Sequence, residues 1–135
     1  MKLDLDVGST AERTMTVTEE HVRRYAELTG DRNPLHFDHQ FAARTRFGRL
    51  TAQGGIATGL LHALVAEDMP GPGTVFLSQN WKFTAPTYIG DTIVATAEVS
   101  SVHLEKPVCS LDVKVSRSDG EVLLEGEAWC YRFVV

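Results

Sequence analysis

The chain has 135 residues, 43% of them hydrophobic and 23% charged, values typical of a soluble globular protein rather than a disordered one. This length fits one domain, which we place at residues 1–135. The formal charge of −5 is spread along the chain and the basic residues form no long run, which argues against nucleic-acid binding. The N-terminus lacks an apolar signal region and no window approaches ~18 apolar residues, so we expect a cytoplasmic protein without a membrane segment.

The first half of the chain combines one strand pattern with helical segments. Strand formers at residues 13–17 predict a short first strand. Thr18 is suited to cap the N-terminus of a helix and Gly30 to end it. The Asp, Asn and Pro residues between 31 and 36 are typical of a loop, and residues 38–44 allow one short helix.

The second half begins with an almost wholly small or apolar segment, residues 51–65, which predicts a buried central helix. Gly54 and Gly55 weaken the start of this helix, and close approach by a ligand would explain them. Strand patterns follow at residues 74–83, 92–103, 108–115 and 122–134. This order predicts an α+β fold with a curved antiparallel sheet around the apolar helix.

Two cysteines occur, Cys109 and Cys130, and both lie in late segments that alternate like strands. Their spacing matches no common metal site. We therefore expect two buried small side chains.

The densest polar cluster is formed by Asp31, Asn33 and His36, next to the apolar helix. Aspartate and histidine make a workable acid and base pair near neutral pH. The residues alone leave a structural alternative open, in which Asp31 and Asn33 hold turns and His36 is a hydrogen-bonded core residue.

The segment YAELTGDRNPLH, residues 25–36, followed by Phe41-Ala42, resembles the signature of the (R)-specific enoyl-CoA hydratases of the MaoC-like dehydratase family. The likeness continues through the apolar helix, the Pro-Gly-Pro-Gly turn at 70–73 and the strand SQNWKF at 78–83. It implies a hot-dog fold, in which the sheet wraps the central helix, and a homodimer whose two sheets join edge to edge.

The resemblance also implies an activity, the reversible addition of water to a trans-2-enoyl-CoA to give an (R)-3-hydroxyacyl-CoA. It assigns the catalytic Asp and His to Asp31 and His36, and the backbone N–H that binds the thioester oxygen to Gly54. Such a reaction needs a base for water, a proton for C2 and a stabiliser for the enolate oxygen. It requires no cofactor and no metal.

Five further residues are expected to contact the acyl-CoA or to shape its site: Asn33, Gln53, Gly55, Gly59 and His62. Asn33 is assigned to holding the loop. Many relatives carry His where this chain has Gln53, and a bulkier apolar residue where it has Gly55, which affects how the thioester is held. His62 either narrows the acyl pocket or is a histidine bonded in the core or at the dimer contact.

The same residues bear on three alternative functions of a protein with this fold. The reverse dehydration of a 3-hydroxyacyl chain on an acyl carrier protein, or a non-catalytic acyl-CoA-binding subunit, stays open. A thioesterase of this fold would place a carboxylate on the central helix, and residues 52–65 contain none.

For several other side chains we predict a structural or surface role rather than a role in metal or ligand binding. His36 and His39, with Asp38 between them, resemble a metal-binding pair, but the loop is irregular and no further ligand is spaced near them, so we expect no metal. Trp81 and Phe83 are interpreted as core or dimer packing rather than a ligand platform. A solvated surface is favoured over contact with the CoA phosphates for four basic residues: Arg44, Arg46, Arg49 and Lys82.

Overall fold

The structure, a computed structural model, describes residues 1–134. One antiparallel sheet contains the strands β1 (Thr10–Thr16), β2 (Thr74–Phe83), β3 (Thr92–Val102), β4 (Val108–Arg117) and β5 (Val122–Arg132), in the order β1-β3-β4-β5-β2. The helices are α1 (Glu19–Thr29), α2 (Pro34–Phe37), α3 (His39–Ala43) and α4 (Gly54–Ala63), and a π-helical turn (Leu64–Asp68) continues α4.

The core lies between α4 and the inner face of the sheet. Alternate residues of β3 and β4 are buried, and from α4 and its π-helical turn Leu60, Leu61 and Leu64 pack against them. Register shifts in β2, β3 and β5 mark bulges or irregularities, which bend strands locally. The expected α+β arrangement, an antiparallel sheet around an apolar central helix, is confirmed.

Helix α1 has the predicted boundaries. The side chain of Thr18 accepts a hydrogen bond from the backbone N–H of His21, and Gly30 adopts the left-handed conformation with φ 83°. Only glycine adopts this conformation without a steric cost, so the chain reverses at Gly30 and delivers Asp31 to the start of the next segment.

The loop predicted for residues 31–36 is wrong in its second half, because residues 34–37 form the short helix α2. Pro34 disfavours helix at the residue before it but suits the first helical position, where no backbone N–H is needed. Asn33 caps this helix, since its Oδ1 accepts a hydrogen bond of 3.1 Å from the backbone N–H of Leu35. His36 is therefore a helical residue. The first strand is also longer than predicted, because it pairs with β3 from Thr10 onward.

Cys109 and Cys130 are fully buried, as predicted, and face each other directly across β4 and β5. Both thiols are free in the described chain. Contact with Cys109, together with burial, raises the pKa of the Cys130 thiol, which therefore stays protonated. Within residues 1–134 no helix is both long and apolar enough to cross a membrane.

Candidate active site

The structure brings the two predicted acid and base residues together. His36 lies in α2, and Asp31 lies in the turn between α1 and α2. The Nε2 atom of His36 is 3.9 Å from the Oδ1 atom of Asp31. The imidazole is buried, with 10% of its side chain exposed, whereas 41% of the Asp31 side chain is exposed. The pair thus has one buried partner and one that is open to solvent.

The His36 ring is held in one orientation by the backbone. Its Nδ1 donates a hydrogen bond of 2.6 Å to the carbonyl oxygen of Thr51. Because a carbonyl only accepts, the neutral ring carries its proton on Nδ1 and has its free lone pair on Nε2, the nitrogen that lies 3.9 Å from Asp31. Thr51 is itself fixed, since its N–H donates to the carbonyl of Leu35 and it forms a β-bridge with Tyr88.

Asp31 holds a turn, which is the structural role that the sequence left open, and its carboxylate also lies near His36. Its Oδ1 accepts a hydrogen bond of 3.3 Å from the backbone N–H of Asn33, as in an Asx-turn. The backbone N–H of Asp31 donates to the Thr29 hydroxyl at 3.1 Å. The turn therefore orients the carboxylate, and the same oxygen faces His36. Asn33 holds this turn, as expected from the sequence, and its side chain caps α2.

The N-terminus of α4 offers free backbone donors. Helix α4 begins at Gly54, and the preceding Gln53 makes no side-chain cap. In the described range, neither Gly54 nor Gly55 donates its N–H to a backbone or side-chain acceptor. Unpaired N–H groups and the positive end of the helix dipole stabilise an anionic oxygen at such a position.

Both glycines at this helix start also have packing reasons. A Cβ atom at position 55 would overlap the hydroxyl and ring of Tyr25 from α1. A Cβ at position 54 would lie 2.9 Å from Cε1 of Phe83. The expectation that ligand approach alone explains both glycines is therefore incomplete: Gly55 is required by Tyr25, and Gly54 is crowded by a movable ring.

A cleft of about 640 Å³ opens beside Gly54. Its walls include Thr51, Phe83, Tyr88 and Arg46. The carbonyl of Thr51 accepts the hydrogen bond from His36, so the His36 ring lies next to a residue of the cleft wall, although neither His36 nor Asp31 lines the cleft. Phe83 is 58% exposed and lines the cleft, so its predicted packing role is incomplete. Trp81 on the same strand instead packs edge-to-face against Phe76, at 6.3 Å between ring centroids, as expected.

Gln53 does not reach this cleft. Its side chain is 1% exposed, and its Nε2 donates a hydrogen bond of 3.0 Å to the carbonyl of Val22 in α1. Its Oε1 is buried and lacks a partner within residues 1–134. Gln53 therefore anchors the start of α4 against α1.

Gly59 and His62 lie further along α4. Gly59 is exposed and borders a separate groove of about 340 Å³ between α4 and α1. The His62 ring packs on Phe76, with centroids 4.6 Å apart, and its Nε2 accepts a hydrogen bond of 2.9 Å from the Gln79 amide. His62 is exposed, so it is not a core residue. Gly54 and His62 both face β2, since Phe83, Phe76 and Gln79 belong to that strand.

A charged network that the sequence analysis missed supports the cleft wall. Arg117 Nε donates a hydrogen bond of 2.9 Å to Asp91, and its Nη2 donates one of 2.8 Å to the carbonyl of Pro86. Burial acts to lower the pKa of Arg117, but the hydrogen bond and charge of Asp91, with the charges of Asp119 and Glu121, together raise it above its ordinary value. The charged Arg117 thus fixes the segment next to Tyr88.

Known proteins match this chain in sequence and in structure. A family model described as a MaoC like domain matches residues 5–119. The 3-hydroxybutyryl-CoA dehydratase of Methylorubrum extorquens is 42% identical over 93% of this chain and 79% of that protein. The (R)-specific enoyl-CoA hydratase of Aeromonas caviae is 33% identical over 92% of each chain. The solved structure of the (R)-hydratase from A. caviae superimposes with a TM-score of 0.91 at 32% identity, over 96% of this chain and 98% of that one.

These matches confirm the hot-dog fold that the sequence signature implied. The chain belongs to the MaoC-like family and is a hydro-lyase of the hydratase and dehydratase type.

Proposed function

We propose that this protein is an (R)-specific enoyl-CoA hydratase, which adds water reversibly to a trans-2-enoyl-CoA and forms an (R)-3-hydroxyacyl-CoA. The observation that carries the proposal is the pairing of Asp31 with His36 at 3.9 Å, where His36 bonds to Thr51, a residue of the cleft that Gly54 also lines. Hydration of a conjugated thioester needs a base for water, a proton for C2 and a donor for the enolate oxygen, and the Asp31 and His36 pair with the N–H of Gly54 can supply all three. The (R) configuration is supported by the likeness to the (R)-specific hydratase of A. caviae.

The proposed mechanism divides the work between side chains and backbone. Nε2 of His36, with its free lone pair, takes a proton from a water that the Asp31 carboxylate orients. The water oxygen then bonds to C3 of the substrate, and negative charge moves to the thioester oxygen. The N–H of Gly54 stabilises that charge, and the proton held on the pair is delivered to C2.

We propose a short acyl chain for the substrate. His62 occupies the side of α4 that faces β2, eight residues beyond Gly54, and its ring is fixed by Phe76 and Gln79. A fixed ring at this position limits the length of an acyl chain that runs along α4 from Gly54. The 42% identical relative, named for a four-carbon substrate, supports this choice.

We propose that the other residues predicted to bind the substrate support the structure of the site. Asn33 holds the turn that orients Asp31, and Gln53 anchors the start of α4. Gly55 makes room for Tyr25, and Gly59 leaves the exposed side of α4 open.

We further propose a homodimer formed through β2. This strand is at the edge of the sheet and carries exposed apolar side chains, Val75 and Leu77. An unpaired edge of this kind is a template for pairing with another chain. Sedimentation of the purified protein tests this: a single species with the mass of one chain contradicts it.

The enzymatic proposal is tested with crotonyl-CoA and the purified protein. We expect rapid loss of the absorbance of the conjugated thioester, and a product oxidised by an (R)-specific but not an (S)-specific 3-hydroxyacyl-CoA dehydrogenase. Running the same assay on 3-hydroxybutyryl thioesters of CoA and of acyl carrier protein separates the hydratase from a carrier-protein dehydratase. A protein that binds crotonyl-CoA and longer enoyl-CoAs without turnover would be a binding subunit.

A further inference from the structure

The mouth of the cleft carries two arginines that the proposed chemistry does not use. Arg46 lines the same cleft as Gly54. Arg49 lies beside it, with its Cζ 3.9 Å from the ring centroid of Tyr88, which is also a wall residue. The cleft is therefore lined by the uncharged N-terminus of α4 and by Arg46, with Arg49 beside it, and the side that carries the arginines is called its mouth. The Glu121 carboxylate, which also lines the cleft, is paired with Arg117.

The segment that carries these arginines is held in place. The Thr45 hydroxyl donates a hydrogen bond of 2.7 Å to the carbonyl of Ala42 and accepts one of 3.2 Å from the N–H of Phe47. The Tyr88 hydroxyl donates a hydrogen bond of 3.0 Å to the carbonyl of Phe47. The backbone on both sides of Arg46 is thus fixed to α3 and to the cleft wall. This backbone therefore needs no ordering when a ligand binds.

The two guanidinium groups are free to bind an anion. Considering the described part of the chain, neither Arg46 nor Arg49 has a carboxylate within 4.0 Å, whereas the nearby Arg117 is paired with Asp91, Asp119 and Glu121. A guanidinium stacked on an aromatic ring keeps its N–H groups available at its edge, where they match the oxygens of a phosphate.

We propose that Arg46 and Arg49 bind the phosphate groups of coenzyme A, and so select CoA thioesters among enoyl thioesters. The inference rests on the proposed function, which places the thioester of the substrate at Gly54. The phosphates of the same elongated molecule then reach the mouth.

Two nearby basic residues serve as controls. Arg44 lies on the same segment but is exposed and is not part of the cleft wall. Lys82 alternates with Trp81 and Phe83, whose rings face α4, so its side chain is on the opposite face of the sheet. Either substitution removes one positive charge without changing the mouth.

The test compares crotonyl-CoA with crotonyl-pantetheine, which lacks the phosphates. For Arg46→Gln and for Arg46→Gln with Arg49→Gln, we expect KM for crotonyl-CoA to rise roughly tenfold to a hundredfold while kcat changes little. KM for crotonyl-pantetheine should stay that of the unmodified protein, and Arg44→Gln and Lys82→Gln should leave both values unchanged. An equal rise for both substrates, or no rise for crotonyl-CoA, overturns the proposal. A loss confined to crotonyl thioesters of acyl carrier protein also overturns it.

A binding measurement without turnover separates this inference from the hydratase proposal. Titration calorimetry with free coenzyme A should give at least a tenfold weaker Kd for the Arg46 variant than for the Arg44 variant. Weakened binding in a protein that hydrates nothing supports the phosphate site and rejects the hydratase. Unchanged binding in an active hydratase rejects the phosphate site alone. Thermal melting of Arg46→Gln, which keeps the Tyr88 contact of Arg49, verifies that the variant is folded.

Discussion

The two halves of the candidate active site use different chemical groups, side chains in one and backbone N–H groups in the other. One half consists of the Asp31 and His36 side chains, which a capped turn and the carbonyl of Thr51 orient. The other half consists of backbone N–H groups at Gly54, whose surroundings are set by Tyr25 and Phe83. The first half acts through its side chains, so it depends on which residues are present. The second half acts through backbone N–H groups, so it depends on where the backbone lies. The two halves should therefore respond to different kinds of substitution.

The largest effect is expected in the side-chain half. Asp31→Asn and His36→Asn should each lower kcat/KM for crotonyl-CoA by roughly 10²- to 10⁴-fold, because each removes a proton-transferring or water-orienting group while keeping a similar shape. Crotonyl-CoA hydration by purified variants measures this. The controls are Asp38→Asn and His39→Asn, which lie just beyond His36 and are exposed. A loss below tenfold in either test variant would remove that residue from the proposed mechanism.

The backbone half requires a substitution that deletes an N–H. Gly54→Pro should lower kcat by roughly 10²- to 10³-fold relative to Gly54→Ala, since both add a Cβ near Phe83 but only proline removes the donor. Proline suits the first helical position, and Gln53 already has φ −61° and ψ 136°, which are compatible with a following proline. Equal activity of the two variants would show that this N–H does not bind the oxyanion.

Disrupting the contact between Tyr25 and Gly55 should mainly change the stability of the fold. Gly55→Ala should lower the free energy of unfolding by about 1–3 kcal/mol, because the added methyl overlaps the Tyr25 side chain. Urea unfolding measures this, and Tyr25→Ala should make the same change at position 55 far less costly. Gly59→Ala is the matched control, as a Cβ there meets nothing within 4 Å. A harmless Gly55→Ala would contradict the close packing.

The smallest effect is expected at His62. His62→Ser should raise kcat/KM for octenoyl-CoA relative to crotonyl-CoA by several-fold, on the order of 1 kcal/mol, because the ring no longer limits the acyl chain. His103→Ser, in an exposed turn, provides a histidine control. An unchanged preference would place His62 outside the acyl path.

The two halves also differ in what could be predicted from the sequence. The Asp31 and His36 pair lies in one short segment, so a local signature located it. The requirement for Gly55 depends on Tyr25, thirty residues earlier, and this contact leaves no local pattern because only the docking of α1 on α4 creates it. Phe83 and Arg46 were likewise given surface or packing roles, since a common cleft wall appears only when distant segments meet.

The fold was predictable in its order of elements but not in its details. Alternating apolar residues predicted the strands, and the caps of α1 were visible at Thr18 and Gly30. Helix α2 was missed because Pro34 was interpreted only through its effect on the preceding residue, and four helical residues are too few to show a period.

The hydrogen bond between His62 and Gln79 connects the proposed acyl pocket to the free edge of β2. A second chain that pairs with this edge changes the surroundings of Gln79, and through it the position of the His62 ring. In the proposed dimer, thermodynamic linkage works in both directions: a bound acyl chain changes the association of the two subunits by the same factor by which association changes acyl binding. Substrate selectivity in this protein would accordingly depend on protein concentration.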